Sequence, residues 1–455
     1  MKKALLAAAA LMVAALACAD WPQFQGPNRD GVSTETVKLA DAWCEGGPKV
    51  AWKNPRMGRG YAGAVIQDRK VYVLDRVDGP DRPVVGLKDV LRCIDLETGK
   101  EEWTYSYECP GNYAGNYNGS RNLPAVDDQY VFILGPFGHL TCVSKETHEA
   151  VWQKNIVAEY GATVTDWGLC QSPTMYQDTV VVAPMSDKAG AVAIEKATGK
   201  EVWKSEKLGK GVLYSWTSPL VATVDGQDMV VVLSCRNDPN LAGIDAANGK
   251  VLWNYRGWKC PNPIASPIAI DGVAGVAHPP SGEASSSPHP GAGVPHQPQP
   301  KLFFVTAGYG AGCAMVRVSK AGGAWQVEEV FNNKALSSQA QNPIYYNGYL
   351  YGNSSGNKSG VMCLDLAGAV KWKTENKDPE EIGAILVADG KLFSFLSQKG
   401  TLRMLAATGD GYKELASAEV VAGSENWGVM GYSDGRLLIR AKNVLLCLDL
   451  RADKQ

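Results

Sequence analysis

The chain has 455 residues, with 45 Lys+Arg against 47 Asp+Glu, 45% apolar residues, 49 Gly, 25 Pro and 13 Trp. That apolar content builds an ordinary globular core and excludes a disordered chain, a collagen and a coiled coil. The near-balanced charge gives no sequence-wide basic field for collecting phosphates, so nucleic acid is not an expected partner.

Lys2 and Lys3 precede an apolar run from Ala4 to Ala17, and small residues follow before Asp20. This is the layout of a secretory signal peptide over residues 1–19, leaving an N-terminal extension over 20–48. The run is shorter than the roughly 20 apolar residues of a spanning helix, and no later segment qualifies. The expectation is an exported protein, periplasmic or extracellular. Two cuts stay open: Ala17-Cys18-Ala19 satisfies the small-x-small rule, while Ala15-Leu16-Ala17-Cys18 resembles a lipobox and would make Cys18 a lipid anchor.

From residue 49 the chain repeats itself. Cys93-Ile94-Asp95-Leu96-Glu97-Thr98-Gly99-Lys100 leads to Trp103, and the same register runs from Ala193 to Trp203 and from Gly243 to Trp253. Weaker copies lead from Cys142 to Trp152 and from Cys363 to Trp372, and further copies lie at Met404 and Cys447. Trp52, Trp103, Trp152, Trp203 and Trp253 stand 51, 49, 51 and 50 residues apart. Each copy reads as a hairpin with a Gly-bearing turn of positive φ, preceded by a strand led by Ser-Pro or Asn-Pro and by a second apolar strand.

Four short strands every fifty residues, with no helical pattern between them, predict an all-β, eight-bladed β-propeller over 49–455. Inner strands are expected from near Ala62, Leu123, Ser172, Ser218, Ser266, Asn342, Ala384 and Gly428. The last copy lacks a tryptophan strand, and Lys49-Val50-Ala51-Trp52-Lys53 lacks partners, so the two chain ends are predicted to pair and close blade eight. The Pro-, Ser- and Gly-rich tract 272–300 interrupts blade five and reads as a disordered insert. Its His278, His289 and His296 are spaced by 11 and 7 residues, which matches no compact ligand motif, and no metal site is expected there. In blade five either Trp325 or Phe331 fills the docking position.

Ten cysteines remain besides Cys18. Cys93, Cys142, Cys363 and Cys447 hold equivalent places in different repeats, too far apart for a disulfide, and read as buried thiols. Cys44, Cys109, Cys170, Cys235, Cys260 and Cys313 remain as candidates for pairing.

The Asp-x-x-Thr-Gly-Lys-x-x-Trp repeats resemble those of the pyrroloquinoline-quinone (PQQ) type propeller superfamily, which includes quinoprotein alcohol dehydrogenases and the assembly lipoprotein BamB. The opening Asp20-Trp21-Pro22-Gln23-Phe24-Gln25-Gly26-Pro27-Asn28-Arg29-Asp30-Gly31 and the ending Cys447-Leu448-Asp449-Leu450-Arg451 are similar to exported PQQ-like propellers of planctomycetes. Two lines of function follow from the resemblance: a quinone enzyme or an envelope scaffold. A quinone would need an aromatic floor, cationic donors and normally Ca²⁺. Positions facing the channel that could supply these are Arg121, Asp166, Trp167, Gln171, Trp216, Gln339, Gln341, Asn342, Glu425, Asn426 and Trp427. Arg121, Trp167, Gln171, Trp216, Gln341 and Trp427 are singled out as channel ligand-binding candidates.

No two cysteines are adjacent, so the vicinal disulfide of many quinoprotein dehydrogenases cannot form, and no residues match their calcium site one by one. No Gly-x-Ser-x-Gly, His-Glu-x-x-His or phosphate-binding loop occurs. The expectation is a monomeric, non-catalytic scaffold with no cofactor, binding envelope or outer-membrane proteins. The alternatives are a PQQ- and Ca²⁺-dependent dehydrogenase, or glycan or small-ligand binding in the Trp-lined channel.

Overall fold

The computed structural model describes residues 20–78, 86–111, 119–210, 213–234, 239–271, 300–355, 360–374, 383–423 and 426–454. The leader with Cys18, Cys235, Glu425 and nearly all of the tract 272–300 lie outside these residues.

Eight antiparallel sheets of four strands form the chain. The first strands of the blades are Val65–Gln67, Ala125–Val126, Thr174–Tyr176, Leu220–Val224, Ile268–Asp271, Ile344–Tyr346, Ile385–Ala388 and Gly431–Ser433. Each starts one to three residues beyond the position read from the sequence. Blade eight is closed as expected: Lys49–Asn54 pairs antiparallel with Val444–Asp449, with Trp52 opposite Cys447. The two ends of the described propeller are thereby tied into one sheet.

The blades are joined by aromatic rings. In every blade the outermost strand carries a bulge beside the docking position, seen for example in the Cys93–Trp103 and Ala193–Trp203 registers. A bulge adds a residue and re-aims the side chain beside it, and in every blade but the seventh that side chain is a ring directed at the next blade. Nε1 of Trp52 donates to Leu96 O at 2.7 Å, that of Trp152 to Lys196 O at 2.8 Å, that of Trp203 to Ala246 O at 2.8 Å and that of Trp372 to Thr408 O at 2.7 Å. The ring also lies on the turn glycine. Gly199 has φ 71°, and a Cβ there would stand 2.8 Å from the Trp152 ring, so the position needs glycine twice over. Blade two has His148 in that slot with φ 61°, and its imidazole stacks on Trp103 at 4.5 Å and 11°.

Blade five is resolved by the same rule. Phe331 stands opposite Met315 beside the bulge, and its ring lies on Gly368 of the next blade, whereas Trp325 pairs with Lys320 near the hairpin tip. Cys93, Cys142, Cys363 and Cys447 face the docking ring of their own blade, each buried and free.

Residues 20–48 run as a strap across one end of the propeller. Trp21 and Ile66 exchange backbone bonds of 2.9 and 2.8 Å, Val126 N–H reaches Pro22 O at 2.8 Å, and Ser33 N–H reaches Val387 O at 2.8 Å. Farther on, the Glu35 carboxylate accepts the N–H groups of Asp434 and Gly435, and Ala40 N–H donates to Leu450 O. Gly47 then packs on Ala418 of blade seven, whose docking slot holds the small Ala416. Burial of Trp21 at 2% exposure anchors the strap to the inner strands of blade one.

Trp203→Ala should cost about 3–5 kcal/mol, because it removes a buried ring and its hydrogen bond at a blade junction. Trp325→Ala should cost about 1 kcal/mol or less. Equal denaturant midpoints for the two variants would contradict the docking rule.

Candidate functional site

The channel is organised by the Ser-Pro and Asn-Pro steps that open four inner strands. Proline lacks an N–H and holds the residue before it extended, so that residue is free to bond sideways. Leu123 N–H donates to Ser172 Oγ at 2.9 Å, Ser172 N–H to Ser218 Oγ at 2.9 Å, Ser218 N–H to Ser266 Oγ at 2.8 Å and Ser266 N–H to Asn342 Oδ1 at 2.8 Å. This ladder links blades two to six around the axis. Around blades eight and one, close backbone approach takes over: a Cβ on Gly63 would meet Val429 O at 2.0 Å.

Above the ladder lies a cup of about 220 Å³. Phe24 of the strap, Leu123, Val429 and the three serines lie among its lining residues, with Tyr61, Trp167, Trp216, Tyr309 and Trp427 as its aromatic members. The Arg121 guanidinium sits 4.9 Å from the Tyr61 ring and 5.7 Å from Trp167, and donates to the carbonyls of Gly119 and Trp167 at 3.2 Å each. Trp216 is oriented by its bond to Thr165 Oγ1 at 3.0 Å, and Tyr61 lies 5.1 Å from Trp427. Gln341 Nε2 donates to Trp427 O at 2.8 Å, fixing the loop that carries that ring.

Beneath the cup, Arg29 is buried at 7% exposure, and its guanidinium stands 5.7 Å from the Phe24 ring. Its hydrogen-bond partner is Gln23 Oε1 at 3.3 Å, and burial pushes the guanidinium down to about 9. A buried cation without a carboxylate beside it is costly, and it makes the region below the cup electropositive.

Of the residues singled out from the sequence, Arg121, Trp167, Trp216, Gln341 and Trp427 are brought together in this cup, with Gln339. Gln171 is elsewhere: fully buried, it donates to Ala183 O at 2.6 Å and to Ser215 Oγ, and accepts Ala183 N–H, so its amide is consumed in holding the backbone. Asn426 donates to the carbonyls of Ser397 and Gly423, and Asp166 is exposed outside the lining. Sequence reasoning missed Phe24, Tyr61, Tyr309 and the serines as lining. The repeated Ser-Pro step was the available signal for the serines.

The cup does not fit a calcium-bound quinone. Calcium takes carboxylate and carbonyl oxygens, and the described lining contains no Asp or Glu. Among the described residues no group of three His, Cys, Asp or Glu is placed to hold a metal.

A second polar cluster lies at blades one, two and eight. Arg76 and Asp89, both fully buried, pair at 2.8 Å, and Tyr107 donates to Asp89 at 2.8 Å. Arg440 and Arg92 share Asp75, the latter at 2.6 Å. Cys109 Sγ lies 3.5 Å from His139 Nδ1, a spacing suggestive of a nucleophile and base. Burial pushes that thiol up to about 11 and the imidazole below its ordinary value. Both groups are therefore neutral near pH 7, which suits a structural core and not a thiolate.

The in-register repeat and the eight closed blades define the class: an eight-bladed β-propeller. Residues 49–260, a little under half of the chain, match the family described as outer membrane protein assembly factor BamB. Among solved structures, BamB from Moraxella catarrhalis is similar over 88% of this chain and 99% of its own, at 12% identity and TM-score 0.59. The quinohemoprotein alcohol dehydrogenase of Comamonas testosteroni is similar over 95% of this chain and 80% of its own, at 13% identity and TM-score 0.62. A second quinohemoprotein alcohol dehydrogenase, ADHIIG from Pseudomonas putida HK5, gives 12% identity over the same shares and TM-score 0.61. At these identities the likeness is one of fold. No curated protein matches the chain significantly.

All the described cysteines are free, Cys44 is exposed, and burial pushes Cys93, Cys142, Cys260, Cys363 and Cys447 up to about 12. Brief treatment of the native protein with iodoacetamide at pH 8, read by peptide mass spectrometry, should label Cys44 first and leave these five until denaturant is added. Equal labelling of Cys109 and Cys44 would contradict the neutral, buried thiol.

Proposed function

We propose that the protein is an exported, non-catalytic binding module that scaffolds protein assembly in the cell envelope, with the channel-mouth cup as its recognition site. The carrying observation is the chemistry of that cup. Its described lining has six aromatic rings and one guanidinium, but no His, Asp or Glu to give or take a proton. Its titratable members besides Arg121 are Tyr61, Tyr309 and Cys170, and burial pushes the Cys170 thiol up to about 11, so the surface favours binding and holding over proton transfer. The exposed Trp167 and Tyr309, at 39% and 63% exposure, offer the large apolar area of an interface anchor. Export follows from the leader-like first 19 residues, and the family description supports the envelope setting.

Tagged protein expressed in its native host should co-purify a defined envelope protein; Trp167→Ala, at an exposed ring, should lose it at an unaltered melting temperature, and Trp216→Ala, at a buried ring, should lose it at a lowered one. In parallel, purified protein with PQQ and Ca²⁺ should show no dye-linked alcohol oxidation. Turnover in that assay would replace the scaffold with a quinone enzyme.

A further inference from the structure

The three serines of the ladder each carry a group that the fold does not use. Ser172, Ser218 and Ser266 are 2%, 3% and 5% exposed, and each Oγ is engaged as an acceptor by a backbone N–H. A serine hydroxyl also has one proton to donate, and none of these three donates to an acceptor within the described protein. All three line the cup, where the described side chains include no carboxylate to receive them. Two guanidiniums stand nearby, Arg121 in the wall and the buried Arg29 under Phe24. A floor of hydroxyl donors from three successive blades, in an electropositive setting and under aromatic walls, is complementary to an anion on a hydrophobic body.

We propose that the cup takes a carboxylate borne on an apolar or aromatic group, the carboxylate at the hydroxyls of Ser172, Ser218 and Ser266 and the ring among Trp216, Trp427 and Tyr61. This rests on the reading of the cup as a recognition site and names its ligand chemistry. A carboxylate is acceptor-only with about four lone-pair positions, so it satisfies donors that a neutral amide, with its own N–H groups, would leave opposed. The cup has room for one ring and its short acid arm. The same chemistry comes from two sources, a free aromatic acid or the C-terminal residue of a protein chain.

The test titrates the full protein by tryptophan fluorescence and calorimetry with 3-phenylpropionate and its amide, and with a short peptide ending in Phe as free acid or as C-terminal amide. The acids should bind saturably, with each amide at least about tenfold weaker, the scale of a lost charge-assisted hydrogen bond. Tighter binding of the peptide acid assigns the site to a chain terminus; tighter binding of 3-phenylpropionate assigns it to a small acid. Ser218→Ala should weaken the acids about tenfold and leave the amides unchanged. Because Ser218 also accepts a backbone bond, Arg121→Met is the second variant, expected to act in the same direction at an unaltered melting temperature. Acid and amide binding equally, or neither binding, would overturn the proposal. Loss of both acids with envelope co-purification still dependent on Trp167 and Trp216 would overturn the carboxylate while leaving the scaffold standing. Acid binding together with co-purification indifferent to the cup would do the reverse.

Discussion

Aromatic rings at seven of the eight blade junctions hold most of this molecule together. A four-stranded blade is hydrophobic on both faces and cannot stand alone, and the outermost strand lies far from the axis where inner strands meet. Docking an indole from that strand onto the next blade's turn supplies a contact at the rim, with a buried N–H satisfied by a carbonyl. The bulge beside the ring and the positive-φ glycine beneath it are the two backbone devices the contact requires. Where the glycine is replaced, His148 accepts the same backbone conformation and stacks its own ring on Trp103. Where the ring is missing at Ala416, the strap comes in beside it.

Rim docking leaves the axis to other chemistry. Inner strands converge there with little side-chain volume to spare, so their amide groups must be satisfied by small oxygens from the neighbouring blade. The serine ladder does this over part of the circle, and glycines allow direct backbone approach between blades eight and one. A by-product of using serine is a set of hydroxyls on the cup lining whose protons are left to donate. The strap bonds to inner strands of blades one, two and seven and places Phe24 in the lining of the cup, with Arg29 against that ring. The proposed binding chemistry thus grows out of what the fold needs in order to close.

Much of the fold was legible because the repeat writes its geometry into spacing. Turn glycine, docking ring and facing cysteine recur in register, and the unmatched strands at the two ends can only pair with each other. Blade five was ambiguous between Trp325 and Phe331 because the choice depends on a bulge in an unusually long hairpin, which hydrophobic pattern does not reveal. The cup was partly legible: loops ahead of inner strands face the axis in any propeller, which brought Arg121, Trp167, Trp216 and Trp427 forward. Gln171 looked the same in sequence, but its side chain turns into the backbone of its own blade. Phe24 and Arg29 lie in an extension with no repeat to give them a place, and the buried Arg76–Asp89 pair joins residues of adjacent strands whose shared environment exists only after the blade forms.

The central claim, that the cup is where this propeller recognises its partner, is tested most directly by hydroxyl-radical footprinting of the isolated protein and of its envelope complex. The account predicts protection of Trp167, Trp216, Tyr309 and Trp427 in the complex, with the outer strands of the blades unchanged. Protection confined to the outer strands, with the four rings as reactive as in the free protein, would contradict it.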